Sequence, residues 1–414
     1  VKPGLVIIKK TSGTGNWWVF TDVIDGTNDY AYLDSTNAFG NSSNNVPTAS
    51  VFNVGGVLNT SGATYVAYLF ANNNNDGGFG PDSEDIIKIG TFATNSSGDA
   101  SVTNLGFEPQ WLMTKRHDGT SNWALMDIMR GYNESLWNPL YADANNGESS
   151  IASTRGFPTA TGFEFDGQLS ASANYIYLAI RRGGMSTPTA ASDVFTISTA
   201  NGGSSISTGF DADFALSGRR VDFPNWYLGT RLTGNRKYLH SDVANAEGTY
   251  DGWVWDSPSG TFEQNMNNTE VIDYLWTRAK SYFDVVLYDG NGSVRTINHN
   301  LGVAPEMIWI KRRSGATNWG VYYGDNTDGL ILNANAATSD NANFWNDTSP
   351  TSSVFTVGTE NDLNKSGETY IAYLFATAAG VSKVGTFTQS GATNVDCGFS
   401  GSTPAFVLLK RYDS

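Results

Sequence analysis

The chain has 414 residues, and its 40 acidic and 25 basic side chains give a formal net charge of -15 and a pI near 4.5. Such an acidic balance argues against nucleic-acid binding, which needs a basic face. The single cysteine, Cys397, excludes an internal disulfide framework, and no run approaches the roughly 18 apolar residues of a membrane-spanning helix.

The composition indicates an all-β protein. Aromatic residues make up 13%, charged residues only 16%, and there are 45 glycines. Short runs of β-branched and aromatic residues alternate with turns rich in Gly, Asn and Asp, while long helix-forming stretches are missing. Because disulfides are excluded, stability has to come from packed cores.

One phrase recurs along the chain: a proline, five residues, a lysine and then Lys or Arg. In three of its four copies a tryptophan lies fourteen positions after the proline. The repeated residues are Pro3, Lys9 and Trp17; Pro109, Lys115 and Trp123; Pro305, Lys311 and Trp319; and Pro404 and Lys410. A weaker copy, without the proline, places Asn225-Trp226 after Arg219-Arg220. The spacing of roughly 100 residues predicts a tandem array of one module.

Each copy predicts a β-hairpin. A strand can begin at proline because its first residue can forgo a ladder hydrogen bond. Gly-bearing turn residues follow, and the tryptophan then begins the second strand as a core anchor. The Lys-Arg pair at the strand end is predicted to point to solvent or to pair with an aspartate such as Asp22 or Asp127.

A Tyr-rich phrase closes each module. It occurs at 65–70, 175–180 and 370–375, with a weaker copy at 271–276. These segments are almost continuously apolar, which predicts a strand buried on both faces at the centre of a sheet. An opening phrase, Lys-(Ile/Val)-Gly-Thr-Phe, stands at 88–92 and 383–387.

Together the phrases predict β-sandwich modules of about 100 residues, jelly-roll-like, with a barrel as the alternative. The predicted units are module 1 (1–71, truncated at its start), module 2 (86–182), module 3 (193–280, degenerate), module 4 (281–380) and a terminal segment (381–414) that starts a further module. Because both ends fall inside repeats, we expect the chain to be cut from a longer array.

The phrase from Ile297 to Arg313 resembles a recurrent element of tailed-phage virion proteins. The Asn-Trp pairs, Asp127–Gly131 and Ser366–Phe375 resemble the same repeats, found in tail-fibre-like and appendage proteins of marine and cyanobacterial phages. The resemblance covers nearly the whole chain. It implies β-sandwich modules on the virion surface, a structural or adsorption role, and partners that are further copies of the chain and neighbouring virion proteins. It implies no catalytic residue.

The residues themselves also predict a protein without enzymatic activity. The three histidines, His117, His240 and His299, recur in no shared constellation with a base or nucleophile. Glycoside hydrolysis needs two carboxyl groups at a set separation in a cleft. No acidic residue recurs between modules apart from the Asp22/Asp127 position, which is better explained as a partner of the Lys-Arg pair.

No cofactor is expected, although calcium is an alternative to plain solvated loops. Oxygen donors cluster at Asn72–Gly78 with Asp82, Glu84 and Asp85, at Asp25–Asp29 and at Asp325–Gly329. Calcium takes six to eight such oxygens in flexible geometry.

The alternative function is that of a carbohydrate-binding adhesin that engages host surface glycans. Non-recurrent tryptophans in the variable stretches are the candidates for glycan contact, since loops on a rigid scaffold are where binding diversifies. These candidates are Trp137, Trp253, Trp255 and Trp345.

Overall fold

The structure is a computed structural model. It describes residues 1–72, 85–130, 136–137, 139–147, 151–152, 155–167, 169–183, 185–199, 204–221, 225–250, 253–255, 261–264, 270–391, 393–401 and 403–413. The chain divides into two compact units. Unit 1 comprises 1–128 and 132–183, and unit 2 comprises 129–131 and 184–414. Modules 1 and 2 therefore lie in unit 1, apart from residues 129–131, and modules 3 and 4 lie in unit 2.

Module 1 contains one antiparallel sheet, with strand order β4-β3-β2-β1-β5. Its strands are β1 (Pro3–Lys10), β2 (Trp17–Thr21), β3 (Asp29–Tyr32), β4 (Gly40–Asn41) and β5 (Tyr65–Ala71). Irregular chain with one 3-10 turn, Gly56–Leu58, covers one face of the sheet. Within residues 1–72 the structure shows no second sheet, so this module is a sheet backed by loops.

Module 2 is a sandwich of a five-stranded sheet, β11-β9-β8-β15-β6, and a three-stranded sheet, β13-β14-β7. Two further short strands, β10 and β12, pair with each other. The strands are β6 (Ile87–Ala93), β7 (Ala100–Val102), β8 (Pro109–Arg116), β9 (Ala124–Asp127), β10 (Leu136–Trp137), β11 (Leu140–Tyr141), β12 (Ile151–Ala152), β13 (Arg155–Thr159), β14 (Gly162–Asp166) and β15 (Asn174–Arg181).

Module 3 pairs a six-stranded sheet, β16-β24-β18-β19-β20-β21, with a three-stranded sheet, β17-β23-β22. Two 3-10 turns lie at Ala191–Asp193 and Arg231–Thr233. The strands are β16 (Phe195–Ser198), β17 (Ser204–Ser207), β18 (Phe214–Arg219), β19 (Tyr227–Thr230), β20 (Lys237–His240), β21 (Gly248–Thr249), β22 (Trp253–Val254), β23 (Thr261–Gln264) and β24 (Val271–Trp276).

Module 4 repeats this plan with a six-stranded sheet, β25-β32-β27-β28-β29-β30, and a two-stranded sheet, β26-β31. Its elements are β25 (Phe283–Asp289), β26 (Arg295–Asn298), β27 (Met307–Arg312), β28 (Trp319–Tyr322), β29 (Asp328–Ile331), β30 (Ser339–Asp340), α1 (Ala342–Trp345), β31 (Val354–Val357), α2 (Asn361–Asn364) and β32 (Thr369–Phe375). The described residues of the terminal segment contain no helix or strand. No helix in the described part of the chain is long and apolar enough to cross a membrane.

The sequence prediction of an all-β chain with repeated hairpins is confirmed. Antiparallel pairing joins the two strands of each predicted hairpin in all four modules. The closing strands β15, β24 and β32 each lie inside a sheet, as predicted, between an opening strand and the lysine-bearing strand or its counterpart. In module 1 the closing strand β5 pairs only with β1 and lies at the edge of the described sheet, so that prediction is wrong there.

The main sheets of modules 1 and 2 share a core. Leu5, Ile7 and Val19 of module 1 pack in one apolar cluster with Met113 and Leu178 of module 2. The other face of the module 1 sheet carries a separate cluster, which contains Val6 and Ile8. Alternating residues of β1 therefore serve two cores, because successive side chains of a strand point to opposite faces.

Candidate functional site

The hairpin tryptophans share a backbone contact that fixes the second strand. In each module an Asp or Asn side chain accepts a hydrogen bond from the tryptophan backbone N–H. The pairs are Trp17 with Asp34 (3.1 Å), Trp123 with Asp143 (2.9 Å), Trp226 with Asp242 (3.3 Å) and Trp319 with Asn333 (2.9 Å). The loop that follows this Asp or Asn therefore lies at the same end of every module, beside the hairpin.

In unit 1 the repeated lysine of module 2 binds this loop of module 1. The Lys115 ammonium donates to the backbone oxygen of Thr36 at 2.8 Å and also to that of Ser121. The residue is 0% exposed, and its Nζ lies 5.8 Å from the centre of the Trp123 ring. Burial lowers the pKa of Lys115 to about 8, with Asp143 opposing the shift.

The neighbouring tryptophan makes the second part of the contact. The Trp123 indole N–H donates to the backbone oxygen of Tyr32 at 2.8 Å, and the side chain is 0% exposed. Two backbone bonds flank it, from Ser121 N–H to the Thr36 oxygen (3.0 Å) and from Phe39 N–H to the His117 oxygen (3.2 Å). We call this set of bonds the lysine–tryptophan contact.

Unit 2 repeats the contact between modules 3 and 4. The Lys311 ammonium donates to the oxygens of Ala244 (3.1 Å) and Thr317 (2.7 Å). The Trp319 indole N–H donates to the His240 oxygen at 2.7 Å, and both side chains from module 4 are 0% exposed. The Thr317 N–H reaches the Ala244 oxygen at 2.8 Å. In module 3 the acceptors Ala244 and His240 lie two residues after and two residues before the capping Asp242. In module 1, Thr36 and Tyr32 lie at the same distances from the capping Asp34.

A partial third copy joins module 4 to the terminal segment. The Lys410 ammonium donates to the oxygen of Ala334, one residue after the capping Asn333. The Thr338 N–H donates to the Tyr412 oxygen at 2.9 Å, as the Phe39 N–H does to that of His117. The Tyr412 ring lies 5.1 Å from the Tyr323 ring.

Two buried ion pairs reinforce the junction between modules 3 and 4. Arg313 contacts Glu247 at 2.6 Å, with side chains 2% and 9% exposed. Burial raises the pKa of Glu247, and the nearby Lys237 ammonium opposes that shift. Arg278 contacts Asp284 at 2.7 Å, and these two side chains are 2% and 0% exposed.

The prediction that the repeated Lys-Arg pairs face solvent or an aspartate is therefore wrong for the lysines of modules 2 and 4. Lys115 and Lys311 are buried at module junctions and bind backbone oxygens instead. The following arginine does find a carboxylate, since Arg116 contacts Asp118 at 2.6 Å. Asp22 contacts Lys2 rather than Lys9.

The structure also corrects the alignment of module 3. Lys115 pairs with Ile176 of the closing strand, and in module 3 the equivalent Ile272 pairs with Gly218. Gly218, not Arg219, therefore takes the lysine position, eight residues before Trp226. A Cβ on Gly218 would lie 2.7 Å from the Trp226 ring, so the indole fills the space that a side chain here would need.

The remaining motif residues differ between copies. Pro3 and Pro109 begin strands as predicted, whereas Pro305 is buried two residues before β27 and Pro404 is exposed outside any strand. Trp123 and Trp319 are fully buried anchors, as predicted. Trp17 is only half-buried.

The prediction that the non-recurrent tryptophans contact glycans is wrong for three of the four. Trp253, Trp255 and Trp345 are 2%, 1% and 1% exposed, so no sugar ring can stack on them from solvent. Trp253 and Trp255 pack in the core of module 3, and Trp345 packs in that of module 4. Trp137 lies in β10, and its side chain is outside the described part of the structure.

The carboxylates of two acidic loops accept hydrogen bonds from residues of their own turns. The Asp25 carboxylate accepts bonds from the N–H and hydroxyl of Thr27 at 2.8 and 2.6 Å, and Asp325 does the same with Thr327 at 2.9 and 2.7 Å. These bonds lower the pKa of both carboxyls. Residues 73–84 of the third loop lie outside the described part. Among the residues that are described, no group of three or more His, Cys, Asp or Glu could hold a metal ion.

The histidines have local packing partners. The His299 ring bonds the Thr351 oxygen at 3.2 Å and accepts the Leu301 N–H at 3.2 Å. His240 packs edge-on against Tyr227, and its carbonyl serves the lysine–tryptophan contact. Burial lowers the pKa of both imidazoles.

A family model for a domain of unknown function, DUF7483, matches residues 1–182 and 228–414. The chain belongs to the DUF7483 family. The first match covers modules 1 and 2 together and ends one residue before the end of unit 1. A DUF7483 region of this chain is thus the size of a module pair joined by one lysine–tryptophan contact. No curated protein and no solved structure shows a significant match.

Replacing Lys311 by methionine is expected to destabilise unit 2 by about 1–3 kcal/mol, because the Thr317 oxygen loses its lysine donor and the Ala244 oxygen keeps only the Thr317 N–H. The effect should depend on pH. Burial lowers the pKa of Lys311 from 10.5 to about 8, so between these values the unfolded state binds more protons and this lysine's contribution to stability rises with pH. The difference between wild type and variant should grow there, by at most about 1.4 kcal/mol per pH unit.

Denaturant unfolding from pH 7 to 10.5 measures this difference. Lys383→Met, an exposed lysine of the same unit, is the control and should show neither effect. A difference between wild type and Lys311→Met that stays constant over this range would contradict the expectation.

Proposed function

We propose that the chain is a non-enzymatic structural component of a phage virion, part of a tail fibre or surface appendage built from docked β modules. The observation that carries the proposal is the recurrence of one interface. Lys115 and Trp123 bind module 1 through the bonds by which Lys311 and Trp319 bind module 3. A buried contact that recurs at corresponding positions, formed with backbone oxygens, is suited to holding successive modules in a fixed order.

Structural reasons support a role in assembly. Main sheets that share one apolar core cannot separate without exposing that core to water. The hydrogen bonds at the junction also fix how adjacent modules are oriented, because a lysine ammonium and an indole N–H must meet particular carbonyl oxygens. The virion location comes from the resemblance of the repeats to those of tailed-phage proteins.

Immunogold electron microscopy of intact particles tests the location. Antibody directed against this chain should label projecting tail fibres or capsid appendages, and the position of the label separates adsorption from capsid decoration. Absence of label from every particle would remove the virion proposal and favour a cellular adhesin.

A glycan-binding role is the second candidate, and exposed aromatic rings favour it. Tyr250, in the variable stretch of module 3, is 44% exposed. Saturable binding of the full chain on a glycan array, lost in Tyr250→Ala but kept in Tyr322→Phe, would support a sugar platform there. A chain that only spaces other modules shows no saturable binding.

A further inference from the structure

We propose that Asn146 of module 2 is a site of spontaneous covalent modification. Its side-chain amide is hydrolysed through a cyclic imide that forms with the backbone nitrogen of Gly147. The reaction needs no enzyme and no cofactor, and water is the only co-reactant. The proposal goes beyond the proposed function, because it depends neither on the virion location nor on the docking of modules.

The reaction follows from the chemistry of an asparagine that precedes a glycine. The Gly147 backbone nitrogen attacks Cγ of Asn146, the new N–C bond closes the imide ring, and the side-chain nitrogen leaves as ammonia. Water then opens the ring at either carbonyl. One product is aspartate, and the other is isoaspartate, in which the main chain passes through the former side chain. Glycine favours ring closure because it has no Cβ to restrict its backbone.

The structure leaves Asn146 and Gly147 open to this reaction. Both are exposed, in the loop that follows β11. Among the described residues, no hydrogen bond engages the Asn146 side chain or the Gly147 N–H. A Cβ built on Gly147 would meet no atom within 4 Å. The space around the attacking nitrogen is therefore not occupied by another part of the chain that the structure describes.

A second Asn-Gly pair, Asn291-Gly292, is equally exposed but is held by hydrogen bonds. It lies in the turn between β25 and β26. The Asn291 side-chain oxygen accepts the Ser293 N–H at 2.9 Å, and the Gly292 N–H donates to the Asn364 backbone oxygen at 2.7 Å. Asn364 is 0% exposed, and its side-chain oxygen accepts the Asn291 N–H at 2.9 Å. Attack on Asn291 therefore requires bonds of the turn to break first.

The loop that carries Asn146 also lacks the lysine that binds the corresponding loops of other modules. In modules 1, 3 and 4 the loop after the capping Asp or Asn accepts a hydrogen bond from a lysine of the segment that follows. These lysines are Lys115, Lys311 and Lys410. Module 3 has Gly218 at the lysine position, so it has no such donor for residues 144–147. The repeated contact that would hold the main chain around Asn146 is thus missing.

Conversion changes the surface of module 2 and leaves its core intact. Each event adds one negative charge to a chain whose net charge is already -15. Where isoaspartate forms, the main chain of the loop also becomes one methylene longer. Asn146 lies after Asp143, which caps the buried Trp123 at 2.9 Å. The modification therefore falls outside the hairpin that this cap fixes.

Peptide mass spectrometry of the full chain, incubated at mildly alkaline pH and sampled over time, tests the proposal. Asn146 should convert to a mixture of aspartate and isoaspartate. Asn291, the internal control with the same following residue, should convert about 10- to 100-fold more slowly, since its reaction first costs hydrogen bonds of the turn. An Asn146 that stays intact, or that converts no faster than Asn291, overturns the proposal.

The same measurement in denaturant separates the effect of structure from that of local sequence. With the turn bonds broken, Asn146 and Asn291 should convert at similar rates. If Asn146 remained the faster site by the same factor in denaturant, flanking residues rather than hydrogen bonds would set the rates, and the argument from the structure would fail.

Gly147→Ala tests the attacking nitrogen without a risk to the fold, because the added methyl group meets open space. It should slow conversion of Asn146 by about 10-fold or more, since a Cβ restricts the backbone conformations that bring the nitrogen onto the side chain. Gly183→Ala, at another exposed glycine of unit 1 with open space at its Cβ, is the matched control and should leave the rate unchanged. Equal rates at Asn146 in the two variants overturn the proposal.

Discussion

Replacing Trp319 by alanine is expected to lower the stability of unit 2 by about 3–5 kcal/mol, the usual cost of removing a buried aromatic side chain. Trp319 is 0% exposed, and its ring packs at a tilt against that of Tyr373, with ring centres 6.0 Å apart. Its indole also satisfies the His240 oxygen of module 3 at 2.7 Å. The variant therefore loses core packing and a bond between modules together.

Denaturant unfolding measures the loss, and hydrogen-exchange mass spectrometry assigns it to peptides of unit 2. Trp17→Ala is the matched control in unit 1. Trp17 is half-buried, so its replacement should cost less, about 1–2 kcal/mol. Equal losses for the two variants would show that burial at the module junction is not what makes Trp319 important.

Replacing Asp284 by alanine is the second change with a large expected effect, about 3–5 kcal/mol, because it removes the carboxylate that faces a buried guanidinium. Arg278, at the end of module 3, binds Asp284, at the start of module 4, through Nε and Nη2, each at 2.7 Å. The same carboxylate accepts the N–H groups of Val285 (2.9 Å) and Asn300 (2.7 Å). All these bonds fix the connection between the two modules.

Thermal and denaturant unfolding of Asp284→Ala should show the loss in unit 2 alone. The double variant Arg278→Met with Asp284→Leu is the control. It also loses the bonds from the Val285 and Asn300 N–H groups, but it leaves no buried guanidinium without a carboxylate, so its loss should be smaller than that of Asp284→Ala. A loss below about 1 kcal/mol in the single variant would mean that the pair is solvated or redundant.

Much of the fold could be predicted from local patterns. The Pro…Lys strands, their Gly-bearing turns and the tryptophans that begin the second strands form antiparallel hairpins in modules 1, 2 and 4. These features depend on side-chain alternation and turn chemistry, and both are visible in residues that are close together in the sequence. The burial of Trp123 and Trp319 was predictable for the same reason, because a large apolar ring that recurs at one position is a core anchor.

The role of the repeated lysine could not be predicted. Its acceptors, such as the Thr36 and Ala244 oxygens, are backbone groups 79 and 67 residues away. Every residue has a backbone oxygen, so the residue type does not indicate which one accepts the bond. The only sequence signal was the constant distance of eight residues from lysine to tryptophan. The same limit applies to Trp253, Trp255 and Trp345. When a tryptophan does not recur between modules, the sequence does not tell whether it is buried or exposed, because that depends on its neighbours in the folded chain.

The sequence by itself determined an all-β chain, its repeated hairpins and the positions of their anchors, because these follow from period-two patterning and turn residues within short segments. The tertiary structure decided which residues are buried between modules, that Gly218 replaces the lysine in module 3, and that the lysines bind a neighbouring loop. Those features depend on contacts between segments far apart in the chain, and only the folded arrangement of whole modules fixes them.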